Sequence, residues 1–358
     1  MGGFLLEKNM KTITTPSFRK LYAFGKKLPL DLSLSENPLG CSPNISMVLK
    51  QLTETDFFDY PDPDCLQLKS ALNKRFRIKA GCIFIANGSE AIIKLIPQVL
   101  IKPGDEVIIP RLTFPMFEIA SKMSLGKVTI SEMLPDFSID LDEIKSKINK
   151  NTKLIFLCNP NNPTGKTISK KQLLDFVRST SAIVVVDEAN IEFGGSTLIR
   201  ESNIFRNLIV LRTFSKGFGL AGFRIGFCVA SKDIIRKFER GSQPFPVSTV
   251  AEKTAIAALA DKDFIKMTKK FMKNERSFIS RQMRKRGFEV VDSQANNLLI
   301  KIPKSFKRFS QMLKMKGVSV VDSSSFDFEK GIFIRVSPRL RTINIKFIQI
   351  IDQIIKTR

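Results

Sequence analysis

Between residues 83 and 230, short apolar runs alternate with longer helix-like stretches, and few architectures accept that order. The runs are IFIA at 83–86, EVIIP at 106–110, LIFLC at 154–158, AIVVVD at 182–187 and LIVLR at 208–212. Strands separated by helical crossovers pair in parallel more readily than they form hairpins, so the pattern predicts an α/β domain with a largely parallel sheet. From about 246 onward, long basic helices alternate with NLLIKI (297–302), VSVV (318–321) and IFIRV (332–336), which predicts a smaller α+β domain. A chain of 358 residues exceeds one ordinary core and accommodates both. The expected organisation is an irregular arm over 1–45 ending in the turn-rich ENPLGCSP, a large domain over 46–245 and a small one over 246–358. After YPDPD, the fourfold spacing of Leu68, Leu72 and Phe76 marks an amphipathic helix.

Composition narrows the chemistry. There is no histidine, which removes His-containing zinc sites, His-based triads and His general bases. The five cysteines, at 41, 65, 82, 158 and 228, form no CxxC pair, and Cys158 and Cys228 sit in apolar runs as inert buried thiols. Acid–base work must therefore fall to Lys, Tyr, Cys or carboxylates. No apolar run is long enough to span a membrane. The start, MGGFLLEKNM, lacks the features of a secretory signal, and Leu6 stands where a myristoylation signal places Ser or Thr, so a cytoplasmic protein is expected. The net charge of +24 permits contact with nucleic acid, and basic residues are densest at 266–286. Phe271, Phe278 and Met283 recur in that stretch, so it reads as a helix with a solvated basic face, and nucleic acid is the less favoured partner.

Polar clusters follow three of the apolar runs: NPNNPTG after LIFLC, DEAN after IVVV, and RTFSKGFG after LIVL. Each falls at the carboxyl end of a strand, where open α/β sheets gather ligands. In NGSE (87–90), Gly88 permits close approach of a ligand, and the amides of Ser89 and Glu90 open a helix, a phosphate-binding arrangement. An ordinary N-cap at Ser89 explains the same residues. Lys216 follows a buried strand, flanked by Thr213, Ser215 and Arg224, all able to bind phosphate oxygens. A lysine near another cation has a lowered pKa and serves as an amine nucleophile. Asp187 ends an apolar strand; a helix cap, a buried ion pair or a partner for a protonated pyridine nitrogen would each account for it.

Together these segments resemble the fold-type I aminotransferases that depend on pyridoxal 5′-phosphate (PLP), and most nearly the histidinol-phosphate aminotransferase group. The motifs that carry the resemblance are ENPLGCSP (36–43), DYPDP (59–63), NGSE, LTFPMF (112–117), NPNNPTG (159–165), DEANIEF (187–193), RTFSKGFGLAGFRIGF (212–227), QANNLLI (294–300) and IRVS (334–337). The resemblance implies the PLP-dependent transferase fold. It implies that Lys216 holds the cofactor as a Schiff base and, once displaced, shuttles a proton between Cα and C4′. Asp187 would pair with the pyridine nitrogen, Asn162 and Asn190 would face the phenolic oxygen, and Phe114 would stack on the ring. Ser89, Glu90 through its backbone, Thr213, Ser215 and Arg224 would bind the phosphate. Arg335 and Asn37 would contact the substrate, Arg335 clasping its carboxylate. Tyr60 would reach the cofactor phosphate of a neighbouring subunit, so a homodimer is implied.

Several positions depart from the family pattern. Asn190 stands where a tyrosine is usual, Phe114 and Phe117 replace tyrosines, and Asn297 replaces an aromatic. The glycine that usually follows the substrate arginine is missing from RVSPRLR. Val321 occupies the place of an arginine that binds the substrate's phosphate, with Arg339 and Arg341 as candidates to take over. Three functions remain open. One is transfer of an amino group from histidinol phosphate or another amine to a 2-oxo acid such as 2-oxoglutarate. Another is a lyase resembling threonine-phosphate decarboxylase, and the third is a non-catalytic binding protein on the same fold.

Overall fold

The alternation of strand and helix builds one seven-stranded sheet in the computed structural model, which describes residues 28–306, 308–326 and 331–357. Its strand order is Ile83–Ala86, Gly226–Val229, Leu208–Thr213, Ile183–Asp187, Thr152–Cys158, Glu106–Pro110, Lys127–Ser131. The last five run parallel, while Gly226–Val229 is antiparallel to both its neighbours. Successive side chains of a strand face opposite sides, so Ile155 and Leu157 enter one apolar core and Leu154, Phe156 and Cys158 the other. That two-sided burial explains why the strands read as unbroken apolar runs. Lys127–Ser131, an edge strand with partly exposed faces, carries no such run.

A second, antiparallel sheet orders Val321–Asp322, Phe333–Val336, Leu298–Lys301 and Glu289–Val290. The helices Lys262–Arg284 and Arg341–Lys356 pack on it through a core that includes Ile279, Met283, Phe347 and Ile351. VSVV was expected as one strand, but it divides. Val318–Ser319 pairs in parallel with Leu30–Asp31, and only Val321–Asp322 joins the small sheet. The arm is therefore ordered at residues 30–31, while its residues 1–27 lie outside the described ones. No helix among the described residues is long and apolar enough to cross a membrane.

The two sheets meet at NPNNPTG. Asn297 Nδ2 donates to the Pro163 carbonyl at 2.5 Å, and the Gln294 amide donates to the Gly165 carbonyl at 2.8 Å. Arg335, on the small sheet, donates to Asn162 Oδ1 at 2.9 Å. The buried Asn297 amide thus supplies a hydrogen-bond partner to a backbone carbonyl of the loop.

Beneath the loop carrying Lys216 lies a buried ion cluster. Arg212 is paired with Glu192 and lies 3.5 Å from Glu188, and its guanidinium sits 5.2 Å from the centre of the Phe76 ring. A side chain at Gly217 would come within 2.5 Å of Glu192 Cβ, so this glycine lets the lysine loop settle on the cluster. Glu188 accepts from Thr197 Oγ1 at 2.5 Å and from the Leu198 amide at 2.6 Å. Burial nevertheless pushes its carboxyl from 4.5 up to about 7, against the opposing pull of Arg212. A carboxyl with a raised folded-state pKa binds more protons folded than unfolded, so its stabilising effect is full below about 4.5 and is lost as pH rises through about 7. Glu188→Gln should remove that dependence. Thermal unfolding at pH 5 and pH 8 should show the variant gaining on the wild type at the higher pH, and parallel curves would contradict the assignment.

Candidate active site

A pocket of about 270 Å³ opens where the strands ending at Cys158, Asp187 and Thr213 release their polar loops. Its walls include Ser89, Glu90, Phe114, Asn162, Asp187, Thr213, Ser215, Lys216 and Arg224. Nine of the residues singled out from sequence thus converge on one cavity, at the carboxyl edge of the parallel strands.

Lys216 leaves the strand Leu208–Thr213 and donates from Nζ to Asn190 Oδ1 at 3.1 Å. Asn190 is fully buried, and its Nδ2 donates to the Pro160 carbonyl at 3.4 Å, which fixes which end of the amide faces the lysine. Asp187 is buried, and its Oδ1 accepts from the Ala189 amide at 2.9 Å. Burial raises its pKa, while the charge of Lys216 and the Ala189 hydrogen bond pull the other way. Among the described residues no cationic side chain lies within 4.0 Å of this carboxylate, so the Lys216 charge acts on it without a direct ion pair.

The wall around Arg224 is suited to an anion. Arg224 Nη1 lies 3.5 Å from Ser215 Oγ and donates to the Ala221 carbonyl at 3.1 Å. Gly88 starts the helix Gly88–Leu100 with φ +78°, and a Cβ there would stand 3.0 Å from Arg224 Nη2. A Cβ at Gly226 would stand 2.5 Å from the Ser89 amide nitrogen. These two glycines bring a cation, a hydroxyl and first-turn amides close together, and first-turn amides have no intrahelical partner. Ser89 is not the N-cap; Asn87 precedes the helix, and it makes no side-chain cap bond. The Glu90 carboxylate pairs with Lys94 at 2.8 Å, which leaves the residue's backbone for the pocket.

Phe114 lines the pocket and meets Phe117 edge-on at 5.7 Å, whereas Phe117 is buried against Phe156. Arg335, almost wholly buried, donates to Asn162 and to the Ser33 carbonyl. Asn37 turns elsewhere: its amide donates to the Gly217 carbonyl at 3.0 Å and to Thr268 Oγ1 at 3.1 Å. From that segment the pocket takes Leu34 and Ser35, which precede ENPLGCSP, and Glu36, its first residue, none of which was assigned a role from sequence. Cys158 also lines it, with a thiol that burial pushes far up and keeps protonated. Tyr60 is 83% exposed and stacked on Phe245 at 4.6 Å, outside the pocket of its own chain.

Both candidates to stand in for an arginine at Val321 are engaged with carboxylates. Arg339 donates to Glu36 Oε2 at 2.6 Å and to the Asp31 carbonyl at 2.8 Å. Arg341 is held by Glu275 at 2.8 Å and lies 4.2 Å from the centre of the Phe278 ring. Val321 itself is buried in an apolar cluster with Leu112, Leu299 and Phe333.

Comparison with known proteins agrees with this geometry. Residues 28–346 match the family described as aminotransferase class I and II. A histidinol-phosphate aminotransferase of Caldicellulosiruptor saccharolyticus is 35% identical over 337 residues, covering 92% of this chain and 93% of the relative. One from Methanococcus maripaludis is 33% identical over 343 residues, covering 94% and 92%. Among solved structures, the Sinorhizobium meliloti histidinol-phosphate aminotransferase in complex with pyridoxal-5′-phosphate superposes with a TM-score of 0.86 at 22% identity, covering 99% of this chain and 100% of that one. The chain therefore belongs to the class I and II aminotransferases, enzymes that use pyridoxal 5′-phosphate to move an amino group between amino-acid and keto-acid substrates.

Proposed function

We propose that the chain transfers an amino group from histidinol phosphate, the substrate for which its relatives are named, to a 2-oxo acid such as 2-oxoglutarate. The observation that carries the proposal is the convergence of Lys216, Asp187 and Asn162 on one pocket with an anion-suited wall, with Asn190 bonded to Lys216 and Arg335 bonded to Asn162 behind it. The residues present fit PLP on grounds of their own. A buried carboxylate without a cationic partner suits a protonated ring nitrogen, and the Gly88–Arg224–Ser215 corner suits a phosphate. Lys216 would hold the cofactor, Asp187 would pair with its ring nitrogen, Asn162 would bond its phenolic oxygen, and Phe114 would cover its ring. Ser89, the Glu90 backbone, Thr213, Ser215 and Arg224 would take its phosphate. Once bound, PLP supplies an electron sink for the bonds at the donor's Cα.

The chain's own groups do the rest. Lys216 Nζ accepts the proton from the donor's Cα, and Asn190 Oδ1 receives a hydrogen bond from the resulting ammonium. An amide cannot titrate as a phenol does, so Asn190 orients the amine without changing its own charge. Arg335 grips the donor's or acceptor's carboxylate where one is present, with Asn162 fixing the guanidinium plane. Replacing Lys216 by Ala should lower kcat by at least about 10²-fold, the low end expected for a lost general base. Retained turnover would contradict its role. Release of a 2-oxo product without CO2 separates transfer from decarboxylation.

The exposed aromatic group of Phe57, Phe58 and Tyr60, joined by Phe245, supports a homodimer in which Tyr60 serves the neighbouring site. Sedimentation should give twice the chain mass, and Phe57→Ser with Phe58→Ser should shift it toward one chain mass. A cytoplasmic location is proposed on the biosynthetic role alone.

Val321 favours a second reading, an unphosphorylated donor. A lost charge-assisted phosphate contact would cost on the order of 1.5–3 kcal/mol, and both Arg339 and Arg341 already hold carboxylate partners. A donor panel with 2-oxoglutarate decides between the two. Higher kcat/KM for histidinol phosphate than for histidinol supports the first reading, and the reverse order establishes the second. Val321→Arg should raise the phosphorylated-to-unphosphorylated ratio by roughly tenfold or more.

A further inference from the structure

Away from the cofactor pocket, a cleft of about 1060 Å³ runs between the helix Lys262–Arg284 and the segments 193–195 and 292–294. Lys269, Lys273, Arg276, Arg281, Arg284 and Lys285 line it, against a single acid, Asp292. Arg284 is already matched, at 2.6 Å from Asp292. Among the described residues no carboxylate lies within 4.0 Å of the other five.

Arg276 differs in kind from its neighbours. It is only 8% exposed, and its Nη1 donates to the Ala295 carbonyl at 2.5 Å, a neutral acceptor that does not offset the charge. Burial pulls its pKa down to about 10, and no neighbouring acid opposes that pull. It remains a cation at neutral pH, held in a recess of the cleft. A buried charge without a counter-charge is costly, and an anion entering the cleft would offset that cost.

Helix geometry sets the spacing. Lys269, Lys273 and Arg276 follow one another at four and three residues, so they share one face and span ~10 Å of helix. Ser277 and Ser280 add hydroxyls beside them. Three cations on so short a face fit an anion with several charges close together, which is the chemistry of an oligophosphate. We infer that this cleft is a binding site for a small oligophosphate anion, with the Arg276 guanidinium at its base and Lys269 and Lys273 at its rim. Nucleic acid fits less well. A phosphodiester track contacts protruding side chains, and the recessed Arg276 does not protrude.

The charged group can come from inorganic polyphosphate or from a nucleotide, and the test separates the two. PLP-loaded protein, with its own phosphate corner filled, is titrated calorimetrically with tripolyphosphate, ATP and a single-stranded 20-mer at fixed chloride. The expected result is saturable binding of one tripolyphosphate per chain. Lys269→Glu with Lys273→Glu, on the exposed rim, should weaken it by about tenfold or more while leaving transaminase turnover unchanged. Arg276→Met should do the same, with Arg276→Lys restoring part of the affinity. Lys150→Glu with Lys237→Glu, an equal charge change outside the cleft, should have little effect. Tighter binding of ATP than of tripolyphosphate would identify the nucleotide, and equal affinity the polyphosphate. Equal losses in the rim and control pairs would overturn the inference, as would absence of saturable binding or binding of the 20-mer alone.

Discussion

The guanidinium of Arg335 is the point on which the arrangement depends. From a strand of the small sheet it reaches Asn162 on the large sheet's NPNNPTG loop and the Ser33 carbonyl of the entering arm. Three segments far apart in sequence are thereby fixed to one another across 173 and 302 positions. Burying the guanidinium is tolerable only because neighbouring oxygens are aimed at it. One buried cation thus docks the small sheet onto both the large sheet's loop and the arm.

A second constraint lies below the lysine loop. The Arg212–Glu188–Glu192 cluster sits under Lys216, and Gly217 is the residue that allows the loop to rest on it. From above, the Asn37 amide holds the Gly217 carbonyl. The loop is held at Gly217, directly after Lys216, and Asn190 sets the direction of the lysine's amine. Such double support is what keeps a reactive side chain in a working geometry.

Much of this was legible in the sequence because burial on both faces leaves a mark: LIFLC, IVVV and LIVL could hardly be anything but covered strands. The polar clusters that follow them were equally plain, since polar residues directly after buried strands require a reason. The edge strand Lys127–Ser131 was not read, because half-exposed residues give no continuous apolar run. VSVV looked like one strand, since a list of β-formers does not show that its halves pair with different partners. The turning of Asn37 toward Gly217, the engagement of Arg339 by Glu36 and the burial of Arg276 all depend on residues tens to hundreds of positions away. Local spacing cannot encode such contacts. The positive charge shows the same limit: its amount was countable, while its concentration around one recessed arginine required the fold.

The central claim is that Lys216, among the many lysines of this chain, is the one that carries the cofactor. The most direct measurement is borohydride reduction of the PLP-loaded protein followed by peptide mass analysis. A phosphopyridoxyl group confined to Lys216 is the predicted result. The same group on another lysine, or spread over several, would contradict the account.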